Sequence, residues 1–244
     1  MEWRTQVPGH AIFTGCQASQ ATSDEDWILE PYQKGGSVRT FIKHITKAAE
    51  IAVQDPEALL IYSGGQTRAN ADFTEATSYA RLAKAGNIYS QYATRNQGED
   101  SFGVKEFGRV TTEEDLNRRT DASVATRFVG HYPTRITVVG FGMKRQRFED
   151  VHRAALRWSP MAFKYIGIDN EDGNKEAYDG ERNAGLKPFM IDSYGCKGSL
   201  LAKRRQRNPY RRYHPYYSSA PELTGLLDYC PTKNGVYDGR LPWD

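Results

Sequence analysis

The segment Ala58–Arg68 (ALLIYSGGQTR) constrains the fold more than any other. An apolar run of strand length stops at Ser63-Gly64-Gly65, and the helical pattern of Phe73–Ala83 (FTEATSYARLA) follows. This reads as strand, turn, helix. In an open α/β sheet such a turn lies at the carboxyl edge, where ligands bind. Two adjacent glycines suggest backbone at positive φ and close approach of a ligand. The same residues also describe a tight β-to-α turn with no ligand.

The flanking segments extend the pattern. His10–Cys16 (HAIFTGC) reads as a first strand ending at Thr14-Gly15. Val38, Phe41, Ile45, Ala48, Ala49 and Ala52 recur at helical spacing, which predicts a helix over 37–53 with Ser37 as its cap. Strand, helix and strand in that order make a parallel unit with a right-handed crossover. Thr74 is the expected cap of the next helix and Gly86 its stop. The weakly patterned stretch 87–108 reads as an edge strand with a loop. Thr111–Asp115, with its acidic first turn, reads as the start of a helix running to Gly130. Arg135–Phe141 is the clearest buried strand. A helix over 146–158 and a strand over 162–168 follow.

This alternation predicts an α/β fold: a Rossmann-like, doubly wound, mostly parallel sheet with helices on both faces. Residues 1–198 form the α/β domain. Residues 199–244 read as a basic, aromatic-rich extension, irregular and rich in Tyr and Pro, packing on the same domain.

Charge bears on partners only locally. Lys203–Arg212 holds six basic residues, more than the net charge of +3, so the remainder of the chain is net acidic. A nucleic-acid or acidic partner is therefore expected only through Lys203–Arg212. The three cysteines, Cys16, Cys196 and Cys230, form no C-x-x-C pair and suggest neither zinc nor dithiol chemistry. Their odd number, together with the lack of an apolar leader or a run of spanning length, points to the cytoplasm and away from the membrane. No Walker loop, serine elbow or metal-ligand cluster is visible, and a lone Gly-rich turn gives little support to a dinucleotide cofactor.

Several stretches resemble the YdcF/SanA/ElyC-like domain of unknown function. They are Ile61–Gly65 followed by Glu75, then Glu113 and Glu114, then a strand leading into basic residues. Trp27–Gln33, Leu59–Arg68, Ile136–Phe141 with Lys144–Phe148, Asp192–Cys196 and Leu241–Trp243 are similar to its fungal branch. The resemblance implies a Rossmann-like fold with a pocket at the carboxyl ends of the strands, and it makes S-adenosylmethionine, bound by one bacterial branch, a candidate cofactor. Fold alone does not give the reaction. The family's Asp-Ser pair after the second glutamate is replaced here by Asp115–Thr120 (DLNRRT), and Phe141-Gly-Met143 stands where bacterial members carry a histidine. Such losses suit a divergent pocket for an apolar molecule.

The candidate catalytic residues are Glu75, Arg68 and Arg147. The candidate ligand-binding residues are Thr14, Gly64, Gly65, Gln66, Thr67, Glu113 and Lys144; no metal ligands are proposed. Gly64 and Gly65 would offer amides to an anion, and Arg68 a planar fork for carboxylate or phosphate. Glu75 suits either a general base or a helix-dipole carboxylate. His152 reads as a packed helix histidine and Cys196 as a buried structural residue. The function expected is a small-molecule enzyme with its pocket at the carboxyl edge: a cofactor-independent cyclase, isomerase or lyase acting on an apolar metabolite in fungal specialised metabolism. The alternatives are an S-adenosylmethionine- or nucleotide-binding protein and a non-catalytic binder of RNA or an acidic partner.

Overall fold

Five parallel strands make the main sheet: β1 (Trp3–Pro8), β4 (Leu59–Ser63), β5 (Val110–Glu113), β6 (Arg135–Gly140) and β7 (Phe163–Gly167), in the order β5-β4-β1-β6-β7. They belong to a computed structural model that describes residues 3–55, 57–66, 71–93, 110–113, 131–171, 175–207, 216–233 and 235–244. The chain runs outward from β1 to β4 and β5, then returns to the other side of β1 for β6 and β7. The strand order therefore reverses between β1 and β6, as in a doubly wound Rossmann-like sheet.

The central strand is not the one that the apolar pattern suggests. Arg4, Thr5 and Gln6 are polar, yet they are buried in β1 with ladders on both sides. His10–Cys16 contributes only β2 (Ile12–Phe13), which pairs antiparallel with β3 (Trp27–Ile28) in a separate hairpin. The ring of Phe13 packs on Trp27 at 5.1 Å, and the Trp27 indole donates to Ala21 O at 2.9 Å. A second difference is at Val110–Glu113, which pairs with Leu60–Ser63 as edge strand β5. Its β-branched residues fit a pleated ladder, and pairing with β4 overrides the acidic pattern that resembles a helix start. The rest of the helix expected there lies outside the described residues.

Regular helices cover one face. In α1 (Ser37–Gln54), Val38, Phe41, Ile45, Ala48, Ala49 and Ala52 are buried on β1 and β6. Gly36, not Ser37, takes the cap position, at φ 133°, a conformation open to glycine. α2 (Glu75–Ala85) starts at Thr74 and stops at Gly86, and α3 (Ile88–Ala93) follows within the stretch of weak pattern. Leu60, Tyr62, Val7 and Val139 meet these helices.

The opposite face carries Arg4 and Gln6 beside Leu59, Ile61, Ile136 and Val138. α4 covers part of it, with a π-type turn Arg147–His152 running into Arg153–Ala155. α5 continues through Lys175–Gly180, Glu181–Leu186 and Lys187–Ile191, and α6 is Gly198–Arg207. Two short helices follow, α7 (Tyr216–Ser219) and α8 (Thr224–Asp228). Leu223, Leu226, Leu227 and Leu241 of the C-terminal segment form one buried cluster with Leu59 and Ile61. The segment is thus the second wall of the core. Cys196 and Cys230 are disulfide-bonded with Cα atoms 5.7 Å apart, a pairing that their sequence spacing does not suggest. Among the described residues no helix is long and apolar enough to cross a membrane.

Candidate functional site

The turn after β4 holds the start of α2 through its backbone. Neither Gly64 nor Gly65 has positive φ; the described glycines that do are Gly35, Gly36, Gly195 and Gly198. It is their carbonyls that are engaged. Gly65 O accepts from Glu75 N at 3.4 Å and Gly64 O from Ala76 N at 3.1 Å. Thr74 completes the cap, its Oγ1 accepting from Thr77 N and its carbonyl from Ser78 N, both at 3.0 Å. The four amides that open a helix ordinarily await outside acceptors. Here the amides of residues 75, 76 and 77 all find acceptors within the chain, so the first turn of α2 offers none of these three to a phosphate.

Gly64 is required by Glu75. A Cβ on Gly64 would lie 2.8 Å from Glu75 Cβ and 2.7 Å from its Oε2; one on Gly9 would lie 2.5 Å from that Cβ. Gly9 N donates to Ser63 O at 2.6 Å, which carries the β1–β4 pairing past the strand ends. The Glu75 side chain therefore sits on a floor of two glycines at the carboxyl edge, only 8% exposed. Four residues on along α2, the fully buried Tyr79 accepts from His10 N at 3.3 Å. Burial, followed by the nearby charge of Glu75, pushes its phenol well above the ordinary range.

On the other side of β1, His10 joins this edge to the turn after β6. Lys144 Nζ lies 3.0 Å from His10 Nδ1; an ammonium can only donate, so the imidazole proton is on Nε2. The His10 ring packs against Phe141 at 5.0 Å, Phe41 at 5.6 Å and His44 at 5.7 Å. Side chains thus occupy the crevice between β1 and β6, where a doubly wound sheet ordinarily takes its ligand. Gln33 Nε2 donates to His10 O at 2.8 Å and fixes the loop from below. His44 donates from Nε2 to Ile168 O at 2.8 Å and is held down to about 4, chiefly by burial and further by the Lys144 charge, against the raising effects of Ile168 O and Asp169. Asp169, after β7, accepts from Gly142 N at 2.8 Å and from the Tyr178 hydroxyl at 2.6 Å.

The structure brings together Gly64, Gly65 and Glu75, with Lys144 linked to them through His10 and Tyr79. Gln66 stands at the rim, exposed, and donates from Nε2 to Ala71 O at 2.8 Å across the loop. Thr67 and Arg68 lie outside the described residues. Glu113 is the last residue of β5, opposite Ser63 in register. Thr14 is exposed in the small hairpin, where its N–H and its hydroxyl both donate to Asp26 O. Arg147 is buried in an ion pair with Glu181 at 3.0 Å and lies over the Phe189 ring, an arrangement that fastens α4 to α5. His152 packs between Phe148 and Phe189.

Gly9, His10 and Tyr79 escape a sequence reading. Pro8-Gly9-His10 is a strand end only once the polar β1 is recognised as a strand. Chemically, the arrangement offers a carboxylate seated on glycines and, across β1, a lysine–histidine pair. These are groups that can move or hold a proton at the mouth of the sheet. Among the described residues no group of three or more His, Cys, Asp or Glu is placed to hold a metal ion.

Comparison with known proteins gives a relative of undefined role. No family model matches the chain, and no solved structure matches it. The uncharacterized protein YOR238W of Saccharomyces cerevisiae is 30% identical over 299 aligned residues, which cover 97% of this chain and 95% of the yeast protein. The match runs through both the sheet and the C-terminal segment, and the chain belongs to the same family as yeast YOR238W.

Proposed function

We propose that the chain is a small-molecule enzyme working at the carboxyl edge of β1 and β4: a cofactor-independent cyclase, isomerase or lyase acting on an apolar metabolite. The observation that carries this reading is the seating of Glu75 on Gly9 and Gly64. A carboxylate held at the mouth of the sheet, with only glycine on the strand side, can reach a bound molecule and exchange a proton with it. Lys144 and His10 supply positive charge and a second proton donor across β1. Fungal specialised metabolism is the proposed setting and the cytoplasm the proposed compartment, where the Cys196–Cys230 bridge would have to persist among reducing thiols.

S-adenosylmethionine or nucleotide binding, which the resemblance to YdcF-like proteins implies, is the second reading. The engaged amides at the start of α2 weigh against a phosphate there. The test is to incubate the purified protein with a desalted fungal metabolite extract and follow the mixture by mass spectrometry. The expected result is loss of an apolar metabolite and gain of a product of equal mass, or of mass reduced by a small eliminated fragment, without added cofactor. Conversion that requires S-adenosylmethionine, or thermal stabilisation by it or by nucleotides, would favour the second reading instead.

A further inference from the structure

Away from the carboxyl edge, a cavity of about 360 Å³ opens between α4, α5 and the C-terminal segment. Its floor is apolar, with Val151 and Leu186 buried. Small residues, Ala154 and Ala155 on α4 and Gly235 of the C-terminal segment, are part of its lining. Gln146, Asp150 and Ser193 also line it, and among the described residues no hydrogen bond or ion pair engages their side chains. At the mouth, Met190 is 53% exposed and Val236 48% exposed, beside the exposed Ile191. An apolar cleft of this size with a few convergent polar groups has the make-up of a small-ligand site.

Three connections hold the wall that carries Gly235 and Val236. The disulfide ties Cys230 to Cys196, Tyr237 N donates to Tyr194 Oη at 2.8 Å, and Tyr229 Oη donates to Val236 O at 3.3 Å. The wall is thus set before any ligand arrives, which lowers the cost of ordering it.

We propose that this cavity binds a small amphipathic cation, its apolar body against Val151, Leu186 and Met190 and its ammonium at Asp150. Among the described residues Asp150 is the one charged residue that lines the cavity, and its sign selects the ligand. Gln146 and Ser193 serve the ligand's neutral polar groups.

The test uses n-octylamine, n-octanol and n-octanoate as probes in an NMR titration of the full chain below the probes' micelle-forming concentrations. The expected result is saturable shifts centred on Val151, Leu186, Met190 and Val236. Octylamine should bind roughly threefold to fivefold tighter than octanol, the discrimination expected of an exposed carboxylate, and octanoate weakest. Asp150→Asn, a change at an exposed position, should equalise the amine and the alcohol while leaving the fold unchanged. Ala154→Phe, which fills the space, should abolish the shifts, and reduction of the disulfide should weaken octylamine binding. Equal binding of all three probes to the wild-type protein would overturn the proposal, as would an amine preference that survives Asp150→Asn or shifts that do not saturate.

Discussion

The two faces of the sheet are covered in different ways. On one, α1 and α2 lay regular apolar stripes over Leu60, Tyr62 and Val139, and residues close in sequence do most of the packing. On the other, Leu59 and Ile61 meet Leu223 and Leu226, residues more than 150 positions away, through short helices and a disulfide-tied segment. The first face follows from local periodicity, whereas the second exists only once the chain has returned. The carboxyl-edge residues draw on the regular side: Glu75 opens α2, and His10 rests on Phe41 and His44 of α1.

The largest expected effects test whether the faces are equal partners in the core. Ile45→Ala on α1 and Leu226→Ala in the C-terminal segment should each cost about 2–5 kcal/mol in urea unfolding, since both side chains are fully buried. A cost below about 1 kcal/mol for Leu226→Ala alone would make the segment an appendage.

The regular face should also be the acid-sensitive one. His44 is held at about 4 in the folded protein against an ordinary 6.5. Its contribution is intact above pH 6.5. Below that the unfolded chain takes up a proton that the folded protein refuses, so stability falls toward pH 4, in total by about 3 kcal/mol. Unfolding measured at pH 7, 5.5 and 4 should show this slope, and His44→Gln should flatten it. An unchanged slope in that variant would place the acid sensitivity elsewhere.

A smaller effect is expected at the edge itself. Gly64→Ala forces a Cβ against Glu75 and should cost about 1–3 kcal/mol. Adding Glu75→Gly should recover part of that loss, because the clash is with the Glu75 side chain. A loss that the second change leaves untouched would mean that Gly64 is needed for another reason.

These contrasts also explain what the sequence reveals. The β-branched run Arg135–Gly140, the stripe of α1 and the Thr74 cap of α2 are local signals, and each marks its element. β1 is hidden because Arg4, Thr5 and Gln6 are polar; flanking ladders, rather than an apolar pattern, place them inside. β5 is hidden because four residues of an edge strand say little, and their acidic end resembles a helix start. At the site, Glu75 and the glycine turn are legible, but the reason for the glycine is not. The contact of Glu75 with Gly9 joins the start of α2 to the end of β1, more than sixty residues away in sequence. Arg147 illustrates the converse: a basic residue just past a strand looks like an anion ligand until Glu181, 34 positions on, is seen to pair with it.

The most direct test of the central claim is the rate at which Glu75→Gln performs the conversion found in the metabolite extract. Gln keeps the shape and the seat on Gly9 and Gly64 but removes the proton-accepting carboxylate. The variant is expected to unfold within about 1 kcal/mol of the wild-type protein and to lose roughly 10²–10⁴-fold in rate. A folded Glu75→Gln protein that converts the same metabolite at the wild-type rate would contradict the assignment of Glu75 and of the β1–β4 edge as the seat of the chemistry.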